Sequence, residues 1–216
     1  MTKILVIVCS LFICTQVLAE VGSSNGQAAA KKSTGAKLPH CINDPTEIEA
    51  IKAKIKANSK TSNKYAGYKQ ALESDSDVEL TARLVYAETK ATNCEQKNNE
   101  IVPVIAQVIA NRVKIRKGDV KSVIFQRDQF ASSLNIYDES NYKDFLCPND
   151  SSLWSKAYDE SSLALSDKTQ GTDTVNYFLY KHSPRWTKEP WKLEEDTSLA
   201  KGVRECIRTF KNSNFK

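Results

Sequence analysis

Over most of the chain apolar residues recur every three to four positions, the spacing of helices with one buried face, and only one short segment has the look of a strand. Asp44-Pro45 ahead of Ile48 and Ile51 predicts a capped helix over 46–57, with repeated lysines on its solvated face. A shorter helix is expected over 65–73. The clearest segment comes next. Ser76-Asp77-Val78-Glu79 fits a capping box, in which the serine oxygen and the glutamate carboxylate satisfy orphan amides reciprocally. Behind it Leu80, Leu84, Val85 and Ala87 keep helical spacing to about Thr89.

Residues 101–113 are apolar on nearly every side, which predicts a buried central helix. Pro103 is tolerated there as part of the opening turn. Gly118-Asp119 breaks the chain, and 120–130 reads as a short apolar segment and a turn. Asn, Asp, Ser and Pro over 135–150 predict a loop tied by Cys147. Ser152 is the expected cap of a helix over 152–165, with Leu153, Ala157 and Ala164 inward. β-Branched and aromatic residues make 174–180 the one convincing strand. A final helix is expected over 198–211, with Cys206 inside it. The class is α+β with a helical majority.

The first residues follow a different logic. Lys3, the apolar run from Ile4 to Cys14 and the small-residue ending Val17-Leu18-Ala19 predict a cleaved signal peptide over 1–19. Residues 20–40, rich in Gly, Ser, Ala and Lys, read as a flexible leader with little to bury. A single domain over 41–216 remains. No other apolar stretch is long enough to span a bilayer, so no stable membrane insertion is expected. Of six cysteines, Cys9 and Cys14 leave with the signal. Cys41, Cys94, Cys147 and Cys206 in an exported chain imply two disulfides, with three pairings open. Their spacing is too wide for a zinc knuckle, and only His40 and His182 offer help, so neither metal nor cofactor is expected. The formal charge of +5 suits an acidic polymer such as a cell wall. It would suit nucleic acid equally. Basic residues are spread, however, apart from Lys114-Ile115-Arg116-Lys117, and export argues against a nucleic-acid partner.

One titratable residue stands out. On the helix that begins at Asp77, positions 81, 84, 85 and 88 share a side, so Glu88 continues an apolar stripe. It also lies in the last turn. Burial and the negative end of the helix dipole both push a carboxyl pKa upward, as a general acid requires. The plainer reading is a helix-end glutamate paired with Arg83 or Lys90.

The run Glu79 to Glu88, with Leu80, Ala82-Arg83 and Tyr86-Ala87-Glu88, resembles the opening signature of the spore-cortex-lytic (SleB-like) cell-wall hydrolases. Three further blocks resemble that family in the same order. They are the apolar helix ending Asn111-Arg112-Val113, then Val123 to Gln126 with Gln129-Phe130, and last Tyr177 to Trp186 with Ser183-Pro184-Arg185-Trp186. The likeness spans roughly 77–191. It implies a mainly helical lysozyme-like fold with a small β-element and long cleft-lining loops. It also implies peptidoglycan as partner and cleavage between N-acetylmuramic acid and N-acetylglucosamine, with Glu88 as the catalytic acid of a lytic transglycosylase. The chain departs from the family after the glutamate, where Thr89 to Glu95 replaces an arginine-glycine-glutamate-like turn, and before the apolar helix, where only Glu100 keeps the pattern.

A hydrolytic lysozyme would need a second carboxylate at a defined separation; Glu95, Glu100, Asp128 and Asp138 are the candidates. Gln129 and Phe130, together with Tyr177, Tyr180 and Trp186, are the expected sugar-binding residues. Alternation puts Tyr177 and Leu179 on one strand face and Phe178 and Tyr180 on the other, so one pair is expected to be core. Arg112 reads as a structural ion-pair partner. The rival reading is an inactive wall-binding module; in either case a monomer is expected, and a serine hydrolase lacks its Gly-x-Ser-x-Gly elbow.

Overall fold

The computed structural model describes residues 35–58, 66–126, 130, 133–166, 175–181 and 193–211. Helix α1 (Pro45–Ala57) begins where Asp44 accepts from the amides of Thr46 and Glu47, and it buries Ile48, Ile51 and Ile55. Helix α2 (Ala66–Ala71) packs against it. Helix α3 (Asp77–Ala91) starts with the full capping box of Ser76 and Glu79. Every residue from Leu80 to Thr89 is buried, so α3 is enclosed on all sides rather than along one stripe. After a 3-10 turn at Glu95–Lys97, α4 (Asn98–Arg116) runs alongside it and buries most of 101–112. It begins earlier than its apolar pattern suggests, so Pro103 lies inside the helix and not in its opening turn. Helix α5 (Val120–Ile124), capped by Asp119, follows the left-handed Lys117.

Two further helices and the sheet complete the fold. Residues 135–150, expected as a loop, contain α6 (Glu139–Leu146). Asp138 caps it, and Phe145 and Leu146 are its buried face, an apolar signal too short to show as a period. Helix α7 (Ser151–Ser166) packs on both α3 and α4. Its cap is Asp150 rather than Ser152: the aspartate accepts from the amides of Ser152 and Leu153. Leu153, Ala157 and Ala164 point inward as expected.

The last expected helix is the largest correction. Only α8 (Lys201–Arg204) forms within 198–211, and Ile207–Lys211 is strand β3. It is the central strand of a three-stranded antiparallel sheet with β1 (Tyr177–Tyr180) on one side and β2 (Glu194–Asp196) on the other. Ile207 and Thr209 are β-branched and buried, and Phe210 is buried behind them. The molecule is therefore mainly helical with a small antiparallel sheet. No helix among the described residues is long and apolar enough to cross a membrane.

Two disulfides, Cys41–Cys147 and Cys94–Cys206, resolve the pairing left open by spacing. Residues 1–19 of the expected signal and the leader as far as 34 lie outside the described residues. The rest of the leader is anchored, because its carbonyls meet buried donors. Trp154 Nε1 bonds the Lys37 oxygen at 2.7 Å, and Arg83 bonds that of His40 at 2.7 Å.

The α1–α2 contact is close enough to test. A Cβ added at Gly67 would stand 2.6 Å from the Ile51 carbonyl oxygen, with backbone on both sides of the clash. Gly67→Ala should cost about 1–3 kcal/mol by overpacking. Gly202→Ala, which meets only the end of the Lys97 side chain at 3.6 Å, should change stability by less than about 0.5 kcal/mol. Urea midpoints of the two variants give the comparison; equal losses would contradict it.

Candidate active site

Three polar side chains leave α3 into its surroundings. Arg83 is fully buried and its Nε lies 2.6 Å from Asp75 Oδ2. Its remaining donors reach the carbonyls of Leu146 (2.9 Å) and His40 (2.7 Å). It pins the start of the domain to the end of α6, beside the Cys41–Cys147 bridge. Tyr86 donates its hydroxyl proton to Asn149 Oδ1 at 3.0 Å and accepts from the Asp150 amide at 3.1 Å. It thereby closes the entry to α7. These two residues hold structure.

Glu88 has a different environment. It is 1 % exposed, yet its partners are few and specific. Tyr180, on β1, donates its hydroxyl to Glu88 Oε2 through a short hydrogen bond. Oε1 is sealed from solvent, as is the hydroxyl of neighbouring Ser133, and neither forms a hydrogen bond of normal geometry among the described residues. Burial raises the Glu88 pKa above the usual carboxylate value of 4.5. The Tyr180 bond, the Ser133 hydroxyl and the charge of Arg112 pull it back, in that order, and burial prevails.

Arg112 comes from α4 and is buried as well. Its Nε donates to the Asn176 carbonyl, and its guanidinium stands 4.6 Å from the centre of the Phe130 ring. Burial brings its pKa down to about 10, so it keeps its charge at neutral pH. Next to it Asn111 Nδ2 donates to the Val175 carbonyl at 2.7 Å. The Asn-Arg pair at the end of the apolar helix therefore holds the strand that carries Tyr180. Phe130 itself has φ of +49°, a left-handed conformation that a bulky side chain rarely adopts. Strain of this kind gathers where a side chain must be aimed.

The structure thus brings Glu88, Tyr180, Phe130, Ser133 and Arg112 to one place. Tyr177 is on the opposite sheet face, 6.2 Å from the Phe210 ring, although its own ring centre lies 5.7 Å from the Arg112 guanidinium. Gln129, Trp186, His182 and Asp128 lie outside the described residues. The other carboxylates have different tasks: Glu95 lies 3.9 Å from Lys90, Glu100 3.5 Å from Lys97, and Asp138 caps α6. Sequence reading missed Ser133, which has no local pattern to distinguish it. Arg112, expected as an ion-pair partner, also meets an aromatic face and a backbone carbonyl. Among the described residues no group of three or more His, Cys, Asp or Glu side chains is placed to hold a metal. No family model, curated protein or solved structure matches this chain.

The raised pKa has a stability consequence whose sign is fixed. A carboxyl that binds its proton more tightly when folded stabilises fully below its unfolded value, about 4.5. That contribution is lost as pH rises through the folded value. Glu88→Gln keeps the shape and cannot ionise. The variant should match the wild type near pH 4 and become progressively more stable than it as pH rises to 8. A pH-independent difference in melting temperature would mean that Glu88 titrates normally.

Proposed function

We propose that this chain is an exported enzyme that cuts the glycan strands of peptidoglycan, with Glu88 as its single general acid and base. One observation carries the reading: a fully buried carboxyl has one oxygen fixed by Tyr180 and the other, Oε1, without a hydrogen bond of normal geometry among the described residues. With Oε2 accepting from Tyr180, the acidic proton belongs on Oε1. Such a proton meets no acceptor of normal geometry among the described residues, which leaves it for the oxygen of a bound glycan.

The chemistry balances with one residue. The neutral carboxyl gives its proton to the glycosidic oxygen as the bond from muramic C1 to that oxygen breaks. The carboxylate so formed takes the proton of the muramic 6-hydroxyl while O6 bonds to C1, which yields a 1,6-anhydro end. The charge of Arg112 favours the carboxylate of Glu88, and Glu95, Glu100 and Asp138 are engaged elsewhere, which favours the one-acid route over a lysozyme with two carboxylates. The resemblance of the Glu79–Glu88 run to the SleB-like hydrolases points the same way, and a lysozyme-like arrangement of the helices is part of the proposal. Two disulfides suit an oxidising compartment outside the cytoplasm. Phe130 and Tyr180 would then form the wall of the sugar site.

A second reading, an inactive wall-binding module, rests on the near-complete enclosure of Glu88. Mass spectrometry of the soluble products from purified peptidoglycan separates the two. The expected result is anhydro-muramic ends, with Glu88→Gln slower by about 10²–10⁴-fold. Reducing ends would indicate a hydrolytic lysozyme, and no products would support the binding module. Tyr180→Phe offers an independent check. It removes a bond that holds the Glu88 pKa down, so the alkaline limb of kcat/KM should move to higher pH while the rate falls. An unmoved limb would separate Tyr180 from the acid.

A further inference from the structure

The sheet face that carries Tyr180 continues away from Glu88. Residues opposite one another in an antiparallel pair share a face. Tyr180 stands opposite Ile207, Phe178 opposite Thr209, and Thr209 opposite Asp196. The row of Thr209 and Asp196 therefore lies one step, about 7 Å along the strands, beyond the row of Tyr180. Lys211 and Glu194 form the next row. Between this face and α4 is an open groove of about 500 Å³, a size that takes a small ligand.

Its chemistry is specific. Val104 and Val108 give α4 an aliphatic wall, and Gln107 and Asn111 add amides. Gln107 Nε2 donates to Asn111 Oδ1 at 3.0 Å. Thr209 forms the floor. It is 1 % exposed, and its hydroxyl has no hydrogen-bond partner among the described residues. A buried orphan of this kind is costly, and one χ1 step exchanges its hydroxyl with its methyl. At the far end Glu194 Oε1 lies 3.7 Å from Lys211 Nζ. Asp196 accepts from the Ser198 amide and makes no ion pair among the described residues, so it can receive a cation. No aromatic ring lines the groove among those residues. A pyranose face calls for such a platform; a peptide backbone calls for amides and short aliphatic side chains.

We propose that this groove binds a short peptide bearing a free ammonium group, which Asp196 receives. Resting on the reading that Glu88 cuts wall glycan, the occupant is the peptide stem of the same polymer. The stem hangs from the muramic residue whose bond is cut, so it must leave the acid along an adjoining surface.

Calorimetric titration of the disulfide-intact protein with L-alanyl-γ-D-glutamyl-L-lysine tests this directly. Saturable binding is expected, weakened at least tenfold when the lysine amine of the peptide is acetylated. Asp196→Asn should weaken the free-amine peptide to the same degree and leave the acetylated one unchanged, because both alterations remove one ion pair. Thr209→Val should weaken both peptides several-fold. Absence of binding, or binding indifferent both to acetylation and to Asp196→Asn, overturns the proposal. Intact peptidoglycan, with its stems in place, is digested in parallel with the wild type. Cleavage without peptide binding sinks the groove alone, whereas peptide binding without cleavage leaves the groove standing and sinks the glycan reading.

Discussion

Helix α3 is enclosed on every side, and its longest polar side chains, Arg83, Tyr86 and Glu88, reach into three neighbouring parts of the protein. That constraint organises the rest. Arg83 turns towards the start of the domain and the end of α6, Tyr86 towards the entry of α7, and Glu88 towards the sheet. An unpaired buried charge costs several kcal/mol, so the arginine demands carbonyls and a carboxylate, and it receives both. The same turns of helix that fill the core also hold the neighbouring elements in register. Glu88 is the exception among the three, because its second oxygen makes no hydrogen bond of normal geometry among the described residues.

The disulfides act at the two ends of that axis. Cys41–Cys147 braces the segment around Arg83, where the Ile42 amide also bonds the Leu146 carbonyl at 3.1 Å. Cys94–Cys206 joins the stretch after α3 to the residue before β3. The Cys206 carbonyl in turn accepts from the Lys181 amide at 3.1 Å, one residue past Tyr180. A covalent link and a hydrogen bond thus fix the strand of Tyr180 relative to the helix of Glu88. Each bridge closes more than a hundred residues, the regime in which cross-links restrict the unfolded chain most.

Much of this was legible where the signal is local. The caps at Asp44 and Ser76, the apolar runs of α3 and α4 and the strand at Tyr177 all arise from neighbours within a few residues. The burial of Glu88 also followed from helical spacing. What sequence hid was non-local. Ile207–Lys211 is a strand only because β1 and β2 flank it, and Phe145 and Leu146 make α6 amphipathic only against α3. Ser133 acquires meaning from a carboxyl 45 positions earlier in the chain. The Tyr180–Glu88 bond joins residues 92 apart, and no period reports such a meeting.

The balance at Glu88 gives the argument for a single acid its physical basis. A residue that must both give and take a proton works best with its pKa drawn towards the working pH. Burial alone would hold the carboxyl neutral and make the return step poor. Tyr180, Ser133 and Arg112 each favour the carboxylate and temper that effect without reversing it. Arg112 does so while directing its guanidinium at Phe130 and the Asn176 carbonyl. A second carboxylate in the same enclosure would add to burial and drive the pKa further up. The positive charge of Arg112 instead favours the ionised form of Glu88, the form that the proposed second proton transfer calls for.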